Sequence, residues 1–388
     1  MITTAQHLSI KAGTWEQLPG NGCAGTPQLI YVFGSKERIS EPTTYSEVRA
    51  LYPTGDILLA STSGEIIGTH VYDGSVTVTA CHFEKTTVRV AHTTIAHQEE
   101  SAQKAEELAR TLVAPDLQHV LVFTDGLLVN GSQCAVGMAK ALPSHVAATG
   151  GLAGDGAAFV STAVGLNGPG VSGTIVMIGF YGTSMKIGYG SVGGWDPFGP
   201  DRVITRSKGN VLYELDHEPA LALYKKYLGD KAKELPSSGL LFPLELTVPT
   251  AGGHTEQLVR TLLAVHEADQ SMTFAGDMPE GISARMMRAN FERLVDGADG
   301  AARKGVTGST EVIHPQYALL VSCVGRKLVL GERVEDEVEA IAAVFGAQTT
   351  LTGFYSYGEL CPATDATNAR GVCQLHNQTM TITTFEEA

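Results

Sequence analysis

YALLVSCVGR (residues 317–326), GERVEDEVEAIAAVFG (331–346) and TTLTGFYSYGEL (349–360) follow one another almost without interruption. The middle stretch places Val334, Val338, Ile341, Ala342 and Phe345 on one helical stripe, with Glu332, Asp336 and Glu339 opposite. A helix with one apolar stripe lies on a sheet. The flanking apolar runs supply strands, so the segment predicts strand, helix, strand. The second strand ends in a polar cluster, Tyr355, Ser356, Tyr357, Gly358 and Glu359, where a buried strand should simply stop.

The same order occurs earlier. LIYVFGS (29–35) precedes a short helical stretch near Tyr45 to Leu51 and then DILLASTSGEI (56–66), which again closes on hydroxyl, Gly and Glu. SVTVTACHFEKTTVRVAHTTI (75–95) alternates in two halves joined by a tight polar turn and predicts a hairpin. HVLVFTDG (119–126), the helix GSQCAVGMAKAL (131–142), VAATGGLAGDG (146–156) and the strand-rich, glycine-punctuated stretch from Phe159 to Tyr189 form a second unit. MTITTF (380–385) closes the third.

Between the units, EESAQKAEELARTLVAP (99–115) carries Ala102, Ala105, Leu108, Ala109 and Leu112 at helical spacing. DHEPALALYKKYLG (216–229) predicts a helix with Asp216 as N-cap, Pro219 in the first turn and Gly229 as the stop. DKAKELPSSG (230–239) reads as a linker, with a domain boundary near Leu235 to Gly239. In 240–290, EQLVRTLLAVHEAD, MTFAG and ISARMMRA read as strands. The expected fold is α/β with mixed α+β character: two lobes of repeated strand-helix-strand-hairpin units, mixed sheets and helices on the outer faces. Residues 1–236 would hold two units and 237–388 the third.

At 388 residues two domains are expected. The 41 acidic and 27 basic residues give a net charge of −14, which repels nucleic acid and anionic lipid surfaces alike. Six cysteines are scattered without a Cys-x-x-Cys pair and read as small buried hydrophobes in a reducing compartment. The N-terminal stretch has no leader pattern, and no apolar run reaches the ~20 residues a membrane span needs. The expectation is a cytoplasmic protein.

TSGEI (62–66), GGLAGDG (150–156), the long run from GGWDPFGP (193–200) to YKKYLG (224–229), SCVGRKLVLG (322–331), GFYSYGELCP (353–362) and HNQTMTI (376–382) together resemble the FIST family of sensory proteins. The similarity runs from about Leu29 to Thr383. It implies a module that senses a small ligand and signals to a separate partner, such as a histidine kinase or a diguanylate cyclase; some members bind haem and sense nitric oxide. The helix usual before the first strand is shortened to GTWEQLPGNGCAGTPQ (13–28). No kinase, cyclase or DNA-binding segment follows the module, so the output is expected on another chain.

Strand ends in open α/β sheets converge on ligand crevices. Ser63, Glu65, Asp155, Tyr355, Tyr357 and Glu359 would offer donors, acceptors and aromatic walls there, while Gly64, Gly150, Gly151 and Gly358 would let the backbone approach a ligand. The alternative is turn chemistry, with glycine at positive φ and the carboxylate capping an amide. Arg326 would fork a ligand carboxylate, or neutralise Glu359 or another acidic neighbour. Trp195 reads as an aromatic lid or anchor in a rigid turn.

GYGSVG (188–193) matches a dinucleotide fingerprint but cannot open a helix, so that reading falls. Among twelve histidines, His7, His70, His217 and His376 are the positional candidates for a haem ligand. No nucleophile motif occurs, and catalysis would rest on Glu65 and Glu359 as paired carboxylates. The leading reading is a sensor of a polar metabolite, such as an amino acid. The alternatives are a haem-based nitric oxide sensor acting on a histidine kinase, and a small-molecule hydrolase or lyase.

Overall fold

The computed structural model describes residues 1–20, 22–249, 255–307, 312–362 and 372–388. Three six-stranded sheets share one plan. At the centre of each lies a parallel pair: Leu29–Gly34 with Asp56–Ser61, Leu117–Thr124 with Ala147–Leu152, and Tyr317–Cys323 with Thr350–Ser356. A returning strand pairs antiparallel beside the first member of each: Val76–Phe83, Thr174–Tyr181 and Met380–Glu387. These are the three repeated units expected from the sequence.

The units exchange strands in a ring. Glu65–Ile67 of the first unit joins the third sheet, Val164–Leu166 of the second joins the first, and Gly358–Pro362 of the third joins the second. The far edges are exchanged as well. Thr87–Thr94 pairs with Thr174–Tyr181, and Met185–Val192 with Met380–Glu387, while the N-terminal strand Ile2–Ser9 pairs with Val76–Phe83. Val76–Phe83 and Thr87–Thr94 therefore do not form the hairpin that their alternation predicted. They diverge into different sheets, because local alternation fixes which face is apolar and leaves the pairing partner open.

The inner faces of the three sheets meet in one aromatic core. Tyr31 and Phe33 of the first sheet, Phe123 and Phe180 of the second, and Tyr317, Phe354 and Phe385 of the third are fully buried there. Phe33 and Phe354 lie 4.8 Å apart and Tyr31 and Tyr317 5.8 Å apart, ring centre to ring centre, within the favourable range for aromatic pairs. Helices cover the outer faces: Lys36–Ser40 and Pro42–Leu51 on the first sheet, Ser101–Leu112 and Gly131–Ala141 on the second, Phe291–Thr307 and Val334–Phe345 on the third. Among the described residues no helix is long and apolar enough to cross a membrane.

A second body lies between Asp196 and Arg288. Its nine strands run in the order Thr255–Arg260, Leu244–Pro249, Ser283–Arg288, Arg202–Lys208, Val211–Leu215, Ser271–Phe274, Leu262–His266, with two short strands at the side. The strands expected in 240–290 are present. The helix Ala220–Leu228 packs on them and stops at Gly229, whose φ is +55°. Asp216 does not cap that helix. It sits at φ +50° with its carboxylate on Arg202 and the Val203 amide, and Pro219 takes the cap position. One core joins Ile204, Leu212 and Tyr224 to Leu246, Phe274 and Met286, so it crosses the boundary placed near Leu235 to Gly239. The Pro-Ser-Ser-Gly stretch there forms short 3-10 turns within this body rather than a linker.

Candidate functional site

The carboxyl ends of the three second strands come together, but they close on one another instead of leaving a crevice. The Ser63 amide donates to the Tyr355 carbonyl at 2.8 Å and the Tyr355 amide to Gly64 O at 2.8 Å. The amides of Gly154 and Gly156 donate to Ser61 O and Thr62 O, and the Tyr357 amide to Leu152 O. Ser63 Oγ donates to Gly156 O, 2.8 Å away, and a Cβ on Gly154 would stand 2.3 Å from that Oγ. These turns are tied together into a hub by backbone hydrogen bonds.

Glu65 and Glu359 are struts of this hub. Thr62 Oγ1 donates to Glu65 Oε1 at 2.5 Å, and the Ser75 amide and hydroxyl donate to Oε2 at 3.1 and 2.7 Å. Ser356 Oγ donates to Glu359 Oε1 at 2.7 Å, and the Thr379 amide and hydroxyl donate to Oε2 at 3.2 and 2.8 Å. Burial pushes Glu65 up to about 7 and Glu359 up to about 8, and these donors offset part of the rise. Both carboxyls are inaccessible, 1% and 0% exposed, which leaves paired-carboxylate catalysis with no route to a substrate.

Other expected site residues are structural. Arg326 is fully buried and clamps Glu337, with Nε at 3.0 Å and Nη2 at 2.6 Å, while also donating to the carbonyls of Gly193 and Leu294. It therefore neutralises Glu337, which the helix stripe gave no reason to place inside, and it neither forks a ligand nor pairs with Glu359. Tyr355 donates to the same Glu337 at 2.7 Å. Trp195 is buried, with Nε1 on the Gln378 carbonyl at 2.8 Å, an anchor and not a lid. Gly150 and Gly151 let strands approach each other: a Cβ would lie 1.9 Å from Val122 O and 2.4 Å from Val321 Cγ1 respectively. Gly64 and Gly358 are packed in the same way, against Lys327 and Leu375.

Tyr357 does face an opening, and Asp155 lies behind it. The Tyr357 hydroxyl donates to Asp155 Oδ1 and accepts the Phe159 amide at 3.1 Å, and its ring stacks on Phe159 with centres 4.3 Å apart and planes 10° apart. Asp155 takes the amides of Phe159, Val160 and Ser161 at 2.8–2.9 Å, so this carboxylate holds the loop that carries Phe159, which itself sits at φ +54°.

That aromatic pair walls a cleft of about 100 Å³ between the second sheet and the second body. Gln98, Gly126, Leu127, Val129, Asn130, Gly131, Leu152 and Leu375 line one side, and Asn210, Leu263, Phe274, Ala275 and Gly276 the other. Three carboxamides and an aromatic wall line it, and no charged side chain does. Contacts across its rim tie the bodies together: Asp277 accepts from Asn130 Nδ2 at 3.3 Å and Gln133 Nε2 at 2.8 Å, and Arg260 Nη1 donates to Leu375 O at 3.0 Å. Of these residues the sequence reading had found only Tyr357. Asn130 could have been read as the N-cap it is, accepting from the Gln133 amide, whereas Gln98 and Asn210 carry no local signal.

The histidines do not fit a haem at this cleft. None lines it, and its volume is too small for a porphyrin. His376 is buried with Nε2 on the Cys361 carbonyl, and burial lowers it to about 4. His7 bonds to Tyr52, His70 lies beside Glu335 on the surface, and His217 is exposed at φ +66°.

The family model described as the FIST N domain matches residues 28–218, and the one described as the FIST C domain matches residues 220–362. No curated protein matches the chain. Among solved structures, the crystal structure of cyanuric acid hydrolase from A. caulinodans aligns over 100% of this chain and 99% of its own, at 9% identity and a TM-score of 0.32.

Proposed function

From a chain that belongs to the FIST family, whose domains are sensory domains in signal transduction, we propose a sensor that binds a small uncharged polar metabolite in the cleft between the second sheet and the second body. The observation that carries this reading is the lining. Gln98, Asn130 and Asn210 present carboxamides, Asn130 held in place by the Gln133 amide and Asp277 and Asn210 by the Phe274 carbonyl, Phe159 and Tyr357 offer a flat apolar wall, and the charged residues at the rim, Asp277 and Arg260, are tied up in the contacts between the bodies. A zwitterionic amino acid, expected from the sequence, would have both charges desolvated without partners. Ligand pockets for drug-sized molecules run to about 300–1,000 Å³. A cleft of about 100 Å³ suits a much smaller molecule.

Because both bodies wall the cleft, a ligand there favours whichever relative placement it touches best, and shifts it only by its difference in affinity between the two. The readout is a surface offered to a separate signalling protein, of the histidine kinase or diguanylate cyclase class that the family resemblance implies. Calorimetric titration with neutral metabolites and with amino acids tests the reading. Neutral ligands should bind, and Asn210→Ala should weaken them up to about tenfold, the worth of one neutral hydrogen bond of about 0.5–1.5 kcal/mol. Binding confined to amino acids, or unaffected by Asn210→Ala, would refute it.

A further inference from the structure

The strand Ile2–Ser9 stitches the first sheet to the third. Its alternate residues Ile2, Thr4 and Gln6 share one face. The Ile2 amide donates to Gln316 Oε1 at 2.9 Å, Thr4 Oγ1 meets Thr350 Oγ1 at 2.7 Å, and Gln6 Nε2 donates to Leu351 O at 2.9 Å. Beside this seam, between the short strand Glu16–Gln17 with the turn after it and the loop at 347–349, lies a pocket of about 190 Å³. It is larger than the cleft and shares no lining residue with it. Residues between 4 and 22 supply one wall, and they precede residue 28, where the family match begins. Part of that wall comes from GTWEQLPGNGCAGTPQ (13–28), the stretch in which the sequence departs from the family pattern.

The lining is polar without charge, since none of the described residues around the pocket is ionisable. Gln6 is fixed in one orientation. Leu351 O can only accept, and Thr79 Oγ1, which gives its own hydrogen to Thr352 Oγ1, accepts the second Nε2 hydrogen at 3.2 Å. Gln6 Oε1 is thereby left as a placed acceptor. Between the Thr4 and Thr350 hydroxyls only one hydrogen can lie on the line joining the oxygens, so the pair keeps another to donate. Gln17 on one wall and Gln348 on the other are exposed, and their carboxamides have no partner among the described residues.

We propose that this pocket binds a small uncharged polyhydroxyl compound, a polyol or a monosaccharide. A placed acceptor, a free hydroxyl hydrogen and two adaptable carboxamides suit hydroxyl groups, each of which gives one hydrogen bond and accepts others. The volume equals that of roughly six waters at about 30 Å³ each, which a molecule of this kind replaces with its own hydroxyls. A carboxylate or phosphate would find no cation on these walls, and an apolar molecule would leave Gln6 Oε1 and the threonine pair desolvated without partners. The pocket and the cleft are separate sites, and neither reading depends on the other.

The test is a titration of the ¹⁵N-labelled full chain with erythritol, xylitol and glucose, followed through the side-chain NH₂ signals of Gln17 and Gln348. Gln17→Ala and Gln348→Ala assign those signals by their loss. At least one of the probes should shift both signals saturably, whereas lactate at the same concentration should shift neither. Gln6→Leu would remove the placed acceptor together with two bonds of the seam, so the deciding variants are the two exposed glutamines. Each should weaken binding by up to about tenfold, the worth of one neutral hydrogen bond, and leave the melting temperature where it is. Asn210→Ala, in the cleft, should change nothing here. The proposal is overturned if no probe shifts both signals saturably, if lactate shifts them as strongly, if neither glutamine variant weakens binding, or if Asn210→Ala weakens it as much.

Discussion

Glu65 and Glu359 lie in different units yet are held by the same cradle: a hydroxyl three residues earlier on one oxygen, and the amide and hydroxyl of the Ser or Thr before a returning strand on the other. The doubled Gly-Glu of the sequence is a strut built twice. The equivalent position in the second unit is Gly156. There Asp125 takes over, receiving the amides of Leu127, Leu128 and Gly173, and the Thr174 hydroxyl is left buried without a partner.

These struts set a pH dependence. Both carboxyls titrate above the ordinary 4.5, near 7 and near 8, so between pH 4.5 and those values the unfolded chain loses protons that the folded chain keeps. Their contribution is complete below pH 4.5, falls by about 1.4 kcal/mol per pH unit for each group, and levels off above about 8. Urea denaturation at pH 5 and pH 8.5 should show native stability dropping, and the double variant Glu65→Gln, Glu359→Gln should flatten that drop.

Glu387 has the opposite sign. Burial alone would raise it, but the Thr86 amide, the chain's own amino terminus and the amides of Lys85 and Glu84 bring it down to about 2. Its stabilisation is present above pH 4.5 and disappears as the pH falls through 2. Glu387→Gln should cost about 1.5–3 kcal/mol at pH 7, the worth of a bond to a charged group. Acid titration of both proteins should show that gap closing toward pH 2.

The Arg326–Glu337 pair is completely desolvated, so deleting one partner strands the other. Arg326→Met should destabilise by about 3–5 kcal/mol, and the double change Arg326→Met, Glu337→Leu should restore part of the loss. A double-mutant cycle by chemical denaturation measures both. If Arg326 instead contacted ligand, its loss would spare the apo protein.

Gly150 has φ +148°, and a Cβ would stand 1.9 Å from the Val122 carbonyl. Gly150→Ala should prevent folding or lower the melting temperature by well over 10 °C, because backbone cannot yield as a side chain can. Thermal unfolding followed by circular dichroism reads this directly.

The repeated order of strand, helix, strand and x-Gly-acid was legible because each element carries its own periodicity, as Val338 and Ile341 on their helix show. What lay outside local sequence was the choice of partner. Nothing in 76–94 says that Val78 faces His7 while Val90 faces Ile178. Helix Phe291–Thr307 passed unread because Gly297, Gly300 and Gly305 dilute its propensity. Packing explains at least one of these glycines: a Cβ on Gly297 would stand 2.9 Å from Gly193 O. Arg326 was correctly suspected of neutralising a carboxylate, but the partner eleven residues later depends on the turn of the chain between them. Burial of Glu65 and Glu359 was equally invisible, since the same Gly-Glu pair serves an open turn or a sealed one.

The ring of exchanged strands bears on how the chain is made. The first sheet lacks an edge until Val164–Leu166 has been synthesised, and the second lacks its last two strands until Gly358–Pro362 and Cys373–His376 have. The third is missing a central strand until Met380–Glu387 emerges. A nascent chain leaving the ribosome can therefore complete its first sheet once Leu166 is out, but carries open edges in the other two until Cys373–His376 and Met380–Glu387 have emerged.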